Sequence, residues 1–93
     1  MMEIKLFADF RELCGGQKFV TIGTDETQAI GSILDALIET FPVMKEELFT
    51  PQGELQPLVS VFVNGKNIIH LDGLNTLVSK DDQIALFPPV AGG

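Results

Sequence analysis

The sequence has neither tryptophan nor tyrosine, and only one cysteine and one histidine. A lone Cys14 excludes an internal disulfide and a multi-cysteine metal site, so a reducing, cytoplasmic compartment is expected. A lone His70 leaves only scattered carboxylates to complete a metal site, and it reads as an exposed or hydrogen-bonded structural residue. Basic residues are scarce: six lysines and arginines stand against thirteen acidic residues, giving a net charge of −7. The six are scattered singly, which argues against nucleic-acid binding. No apolar run reaches the ~18 residues of a membrane span, and Met1-Met2-Glu3-Ile4-Lys5 lacks the apolar core of a signal peptide, so no membrane association is expected. Gly15-Gly16 has neither a following Lys-Ser/Thr nor a G-x-G-x-x-G frame, so it cradles no phosphate. Asp81 and Asp82 are adjacent on a turn, point apart, and read as solvated turn residues. Cys14 has only Arg11 as a nearby cation and reads as a small buried residue, so a Cys14–His70 nucleophilic dyad is not favoured. The body holds no catalytic constellation and no cofactor site.

What remains is globular. Hydrophobic residues make up 45% and charged residues 20% of the 93 positions, enough for one modest core in a single domain spanning 1–93. An acidic domain of this size suits docking on a basic protein surface, where opposite potentials speed encounter.

Glu3 to Phe10 alternates, with Ile4, Leu6, Ala8 and Phe10 on one side, and reads as a half-buried strand. Phe7 falls on the charged side, either packed under a neighbouring element or exposed for a partner. Arg11 to Cys14 is a helical turn closed by Gly15-Gly16. Gln17 to Ile22 is a second strand, with Val20 and Ile22 inward. Ile30, Ile33, Leu34, Leu37, Ile38 and Phe41 recur at helical spacing and predict an amphipathic helix over about 28–40, stopped by Pro42. Thr27 is its expected N-cap, with Asp25 and Glu26 near the positive helix end and Gly31 on the outer side. Val43 to Thr50 suggests a shorter helix, and 51–57 a turn-rich loop. Leu58 to Val63 is a β-branched strand ending in Asn64-Gly65, a strong hairpin signal, so 66–70 should return as a short strand. Residues 71–78 read as a crossing segment and 79–82 as a turn into the last strand, Gln83 to Phe87.

The order is hairpin, long helix, strand, short strand, final strand. First and last strands can then pair side by side in a mixed four- to five-stranded sheet, packed on one main helix with one or two short helices. This is an α+β arrangement, the ubiquitin-like β-grasp. A ferredoxin-like sheet is the competitor, but it needs a second substantial helix before the last strand, and 71–82 is too rich in Gly, Asn and Asp.

The chain closes on Phe87-Pro88-Pro89-Val90-Ala91-Gly92-Gly93. Neither proline can donate to a ladder, so the strand stops at Phe87 and a flexible tail over 88–93 is expected to leave as an extended arm. Gly92 and Gly93 lack side chains, so the terminal carboxylate could enter a channel where any Cβ would clash.

These residues, with Phe7-Ala8-Asp9-Phe10-Arg11-Glu12-Leu13 and Val63-Asn64-Gly65, carry a resemblance to the MoaD/ThiS family of ubiquitin-like sulfur carriers over essentially the whole length. Within the family, Asn64 to Leu74 and the extended 43–57 region look most like the archaeal-type MoaD branch and are similar also to CysO-type carriers. Lys80-Asp81-Asp82 stands where many members have Asp-Gly-Asp, a turn variation. The resemblance implies that a partner activating enzyme uses ATP to adenylate the Gly93 carboxylate, with Gly92 beside it. A sulfur donor would then convert it to a thiocarboxylate, which the large subunit of molybdopterin synthase, or an equivalent acceptor, would consume. It also implies that Phe7, Phe87, Pro88, Pro89, Val90 and Ala91 meet those partners. The alternative is a ubiquitin-like modifier whose Gly93 forms an isopeptide bond to a target lysine.

Overall fold

The computed structural model describes residues 1–89; the Val90, Ala91, Gly92 and Gly93 positions of the expected arm lie outside the described residues. Strand β1 (Met2–Leu6) alternates buried and exposed side chains along its length, as does β2 (Phe19–Ile22). The sheet order is β2-β1-β7-β4-β5, with β4 at Ser60–Val63, β5 at Lys66–Asn67 and β7 at Ile84–Phe87. β1 and β7 run parallel at the centre, with Ile4 opposite Ile84 and Leu6 opposite Leu86. β2, β4 and β5 add antiparallel neighbours on either side. This is the ubiquitin-like β-grasp with a mixed five-stranded sheet.

One helix covers the apolar side of that sheet. α2 (Ile30–Thr40) buries Ile30, Ile33, Leu34 and Leu37. These join Met2, Ile4, Leu6, Val61, Ile84 and Leu86 of the strands in a single core cluster. Each such side chain contributes about 1.5–3 kcal/mol by leaving water. Two short helices complete the set, α1 (Asp9–Leu13) and α3 (Met44–Leu48). Asn64 (φ 51°) and Gly65 (φ 82°) make the tight β4–β5 turn, whose backbone sense only left-handed residues supply.

Four sequence expectations are corrected. The first strand ends at Leu6, because the chain reverses at Ala8 (φ 51°, ψ −129°) with Phe10 N–H donating to the Phe7 carbonyl. Phe10 is still fully buried, but α1 returns it to the core rather than strand alternation. Thr27 does not cap α2. Gln28–Ala29 form a two-residue strand, β3, paired with β6 (Leu77–Val78), and the Ile30 N–H donates to the Thr76 carbonyl at 2.8 Å. A distant backbone oxygen does the work of a cap. Gly31 does not face outward into open space: a Cβ there would lie 3.3 Å from the Leu74 carbonyl oxygen and 3.5 Å from its Cβ. Glycine lets the helix approach that segment closely. The returning strand after Asn64-Gly65 covers only Lys66–Asn67, and Ile68–His70 closes into a 3₁₀ turn started by the Asn67 side chain, which accepts from Ile69 N–H.

Candidate functional site

The far side of the sheet carries the outward side chains of its strands. Side chains at 83, 85 and 87 point there, because Ile84 and Leu86 point to the core. β1 contributes Glu3 and Lys5 to the same face, β2 contributes Phe19 and Thr21, and β4 contributes Ser60 and Phe62. The parallel register then places Phe7, one step past Leu6, beside Phe87, one step past Leu86. Their rings stack at 4.2 Å between centroids, 12° from parallel. Phe62 meets Phe87 edge-on at 5.2 Å. Aromatic pairs in these geometries contribute about 0.5–1.5 kcal/mol beyond simple burial.

Cations frame the rings. Lys5 Nζ lies 5.1 Å from the Phe7 centroid and 5.9 Å from that of Phe19, and the Arg11 guanidinium lies 5.3 Å from Phe7. Arg11 is held there because its Nε donates to the Leu6 carbonyl at 2.7 Å. The rings are not core: Phe7, Phe62 and Phe87 are half-buried and Phe19 is 47% exposed. Together they line a shallow hollow of about 610 Å³ whose charged lining also includes Glu3, Lys80, Asp81 and Asp82.

Phe7 and Phe87, expected to face partners, are therefore brought together, and the strand does stop at Phe87. Pro88 follows half-buried and Pro89 exposed. The sequence reading missed Phe62, Phe19 and Lys5. Each lay on the side of its strand opposite the buried residues, and that outward position in a strongly apolar strand was the available signal for Phe62.

The remaining candidates are placed plainly. Cys14 is fully buried, and burial pushes its thiol up, so it stays protonated and unreactive. His70 is exposed in the 3₁₀ turn. Asp82 is more than a solvated residue: Asn64 Nδ2 donates to it at 2.9 Å and Ser79 N–H at 2.7 Å. Those bonds, Asn64 first, hold its carboxyl below the usual carboxylate range. Asn64 Oδ1 in turn accepts from Gln83 N–H at 2.9 Å, so this network ties the β4–β5 turn to the start of β7. No cluster of three metal-ligating side chains occurs among the described residues, and no helix among them is long and apolar enough to cross a membrane.

A β-grasp body with a ringed, cation-framed face at the root of its C-terminal segment defines a ubiquitin-like carrier or modifier domain. The ThiS family model matches residues 4–93, and the chain belongs to that family. Its sequence is 37% identical over 92 residues to small archaeal modifier protein 3 of Haloferax volcanii, covering 99% of this chain and 98% of that protein. It is also 37% identical over 92 residues to small archaeal modifier protein 1 of the same organism, covering 99% and 100%. The crystal structure of the latter matches with a TM-score of 0.86 over 99% of this chain and 98% of that one. A chain of the Amycolatopsis orientalis BexX/CysO complex shares the fold at a TM-score of 0.86 with 24% identity, covering 100% of each.

Proposed function

We propose that this protein is a sulfur carrier whose Gly93 carboxylate is adenylated by a partner activating enzyme and converted to a thiocarboxylate. The carboxylate attacks the α-phosphate of ATP and expels pyrophosphate, giving a mixed anhydride. A donor persulfide then attacks the carbonyl carbon and expels AMP, giving an acyl disulfide. A second thiol of the donor attacks the donor-side sulfur, so that the donor is left as an internal disulfide and this chain as C(O)S⁻. This chain supplies the reacting end, and the nucleotide and acceptor sites belong to partners. The observation that carries the reading is the family match running through Gly92-Gly93, on a body whose last strand ends in a ring stack beside the arm. Phe7, Phe87 and the Pro88-to-Ala91 segment are the residues assigned to partner contact. The acceptor assigned is the large subunit of molybdopterin synthase, on the resemblance of Asn64 to Leu74 and the 43–57 region to the archaeal-type MoaD branch.

A second reading has its own support. Two relatives matched over 98–100% of their length are named small archaeal modifier proteins. An activated Gly93 would form an isopeptide bond if a lysine amine, rather than sulfur, attacked it. Intact-mass spectrometry of the protein isolated from its own cells separates the two. A gain of about 16 Da, oxygen replaced by sulfur, marks the carrier. Gly-Gly remnants on lysines of other proteins mark the modifier. An unmodified carboxylate throughout, with function retained after removal of Gly92-Gly93, overturns both. For the acceptor, incubating the thiocarboxylated chain with the synthase large subunit and pterin precursor should return the chain to its carboxylate mass. No return refutes that destination alone.

A further inference from the structure

The net charge of −7 points to a basic partner surface, yet the charges at the arm's root have the opposite sign. Lys5 and Arg11 are two of only six basic residues, and both sit against the ring cluster. Neither has a carboxylate within salt-bridge reach among the described residues, although the chain holds thirteen acids. Lys5 is exposed and its neighbours across the sheet are Phe19 and Ala85. Glu3, Lys80, Asp81 and Asp82 also line the hollow, but none of the three acids is within salt-bridge reach of Lys5 or Arg11. In a chain with about two acids for every base, a pair of cations without an ion-pair partner among the described residues, beside half-buried rings, is a feature of the docking face itself.

We infer that the partner surface that covers the Phe7–Phe87 face is apolar with carboxylate groups placed opposite Lys5 and Arg11, rather than basic. Resting on the carrier reading above, this deepens it by assigning the chemistry of the activating enzyme's docking patch. Aspartate or glutamate of the partner would meet the cations as the rings lose water. Desolvation at the ring cluster strengthens those pairs, and complementary charge sets the orientation in which the arm is fed to the nucleotide site. The surrounding acidity of the domain then acts against docking in any other orientation, because the same acidic patch repels the rest of the surface.

The test uses the adenylating enzyme of the same cells, purified by its ATP–pyrophosphate exchange with the unaltered full chain. Absence of any exchange with the unaltered chain would count against the carrier reading, not against the docking chemistry. Given exchange, Lys5→Glu should raise KM by about tenfold or more with kcat nearly unchanged. Lys5→Met, which keeps the apolar stem, should raise it less. Lys45→Glu makes the same change in net charge from α3, on the helix side of the fold, and should leave KM within about twofold. Thermal unfolding of each variant by circular dichroism should match the parent, since the Lys5 side chain makes no hydrogen bond or salt bridge among the described residues. The inference is overturned if Lys5→Glu leaves KM unchanged or lowers it, or if Lys45→Glu raises KM equally.

Discussion

The pairing of Phe7 with Phe87 can be dissected by a double-mutant cycle. Phe87→Ala removes a half-buried ring with two aromatic neighbours, one stacked at 4.2 Å and one edge-on at 5.2 Å. A fully buried phenylalanine costs about 3–5 kcal/mol on truncation, and half-burial brings this to about 2 kcal/mol. For a domain of this size that is a fall of roughly 8–16 °C in Tm. Phe7→Ala should cost less, about 1–1.5 kcal/mol, because it loses one ring contact and leaves its cations in water. If the stack is a real energetic unit, the double variant should be less destabilised than the sum by about 0.5–1.5 kcal/mol. With no tryptophan or tyrosine to follow, urea unfolding must be read by far-ultraviolet circular dichroism. Additivity within about 0.3 kcal/mol would show that the rings do not support one another, and the stack would be a matter of proximity alone.

Deleting Gly93 should abolish thiocarboxylate formation by mass spectrometry while leaving thermal unfolding unchanged, and a large loss of stability would refute the separation of body from arm. Asp82 carries a folded-state pKa below its unfolded value, so its stabilising bonds are fully present above the unfolded pKa of about 3.9. They are lost as pH falls through the folded pKa. Asp82→Asn should therefore lower the urea midpoint at pH 7, with the gap from the parent closing in that acid range, and an equal gap at pH 2 would contradict the assignment. Ala8 holds φ 51° and ψ −129°, a region suited to glycine, so Ala8→Gly should stabilise the domain by about 0.5–2 kcal/mol through relieved strain. A lower Tm would show that the turn is not strained.

Local patterns were readable wherever the partner of a residue lay nearby or on one dominant face. The Ile30–Leu37 stripe and the Val20/Ile22 pair both followed period alone. Alternation ran one element too far at the first strand, because Phe10 is buried whether a strand or α1 carries it. Thr27 satisfied every local rule for a cap, yet Thr76, far along the chain, supplies the acceptor. Gly31 was misplaced for the same reason: a helical wheel orients a helix toward one surface and knows nothing of Leu74 arriving from another. The site itself was half legible. Phe7 stood out against charged neighbours and Phe87 stood next to two prolines. Phe19 and Phe62 belong to different strands, and only the sheet order brings their rings to the same face.

That order has a bearing on timing. The final strand is not added at an edge; it slots between β1 and β4 in the middle of the sheet. A nascent chain still lacking Ile84 to Phe87 has two separated flanks and no joined aromatic surface. The joined aromatic face thus comes into being only once Ile84 to Phe87 have been made and have folded into the sheet. Under the proposed activation, an enzyme that grips this face before spending a nucleotide would gain an inspection step, and copies whose last strand is not folded in would go unenergised.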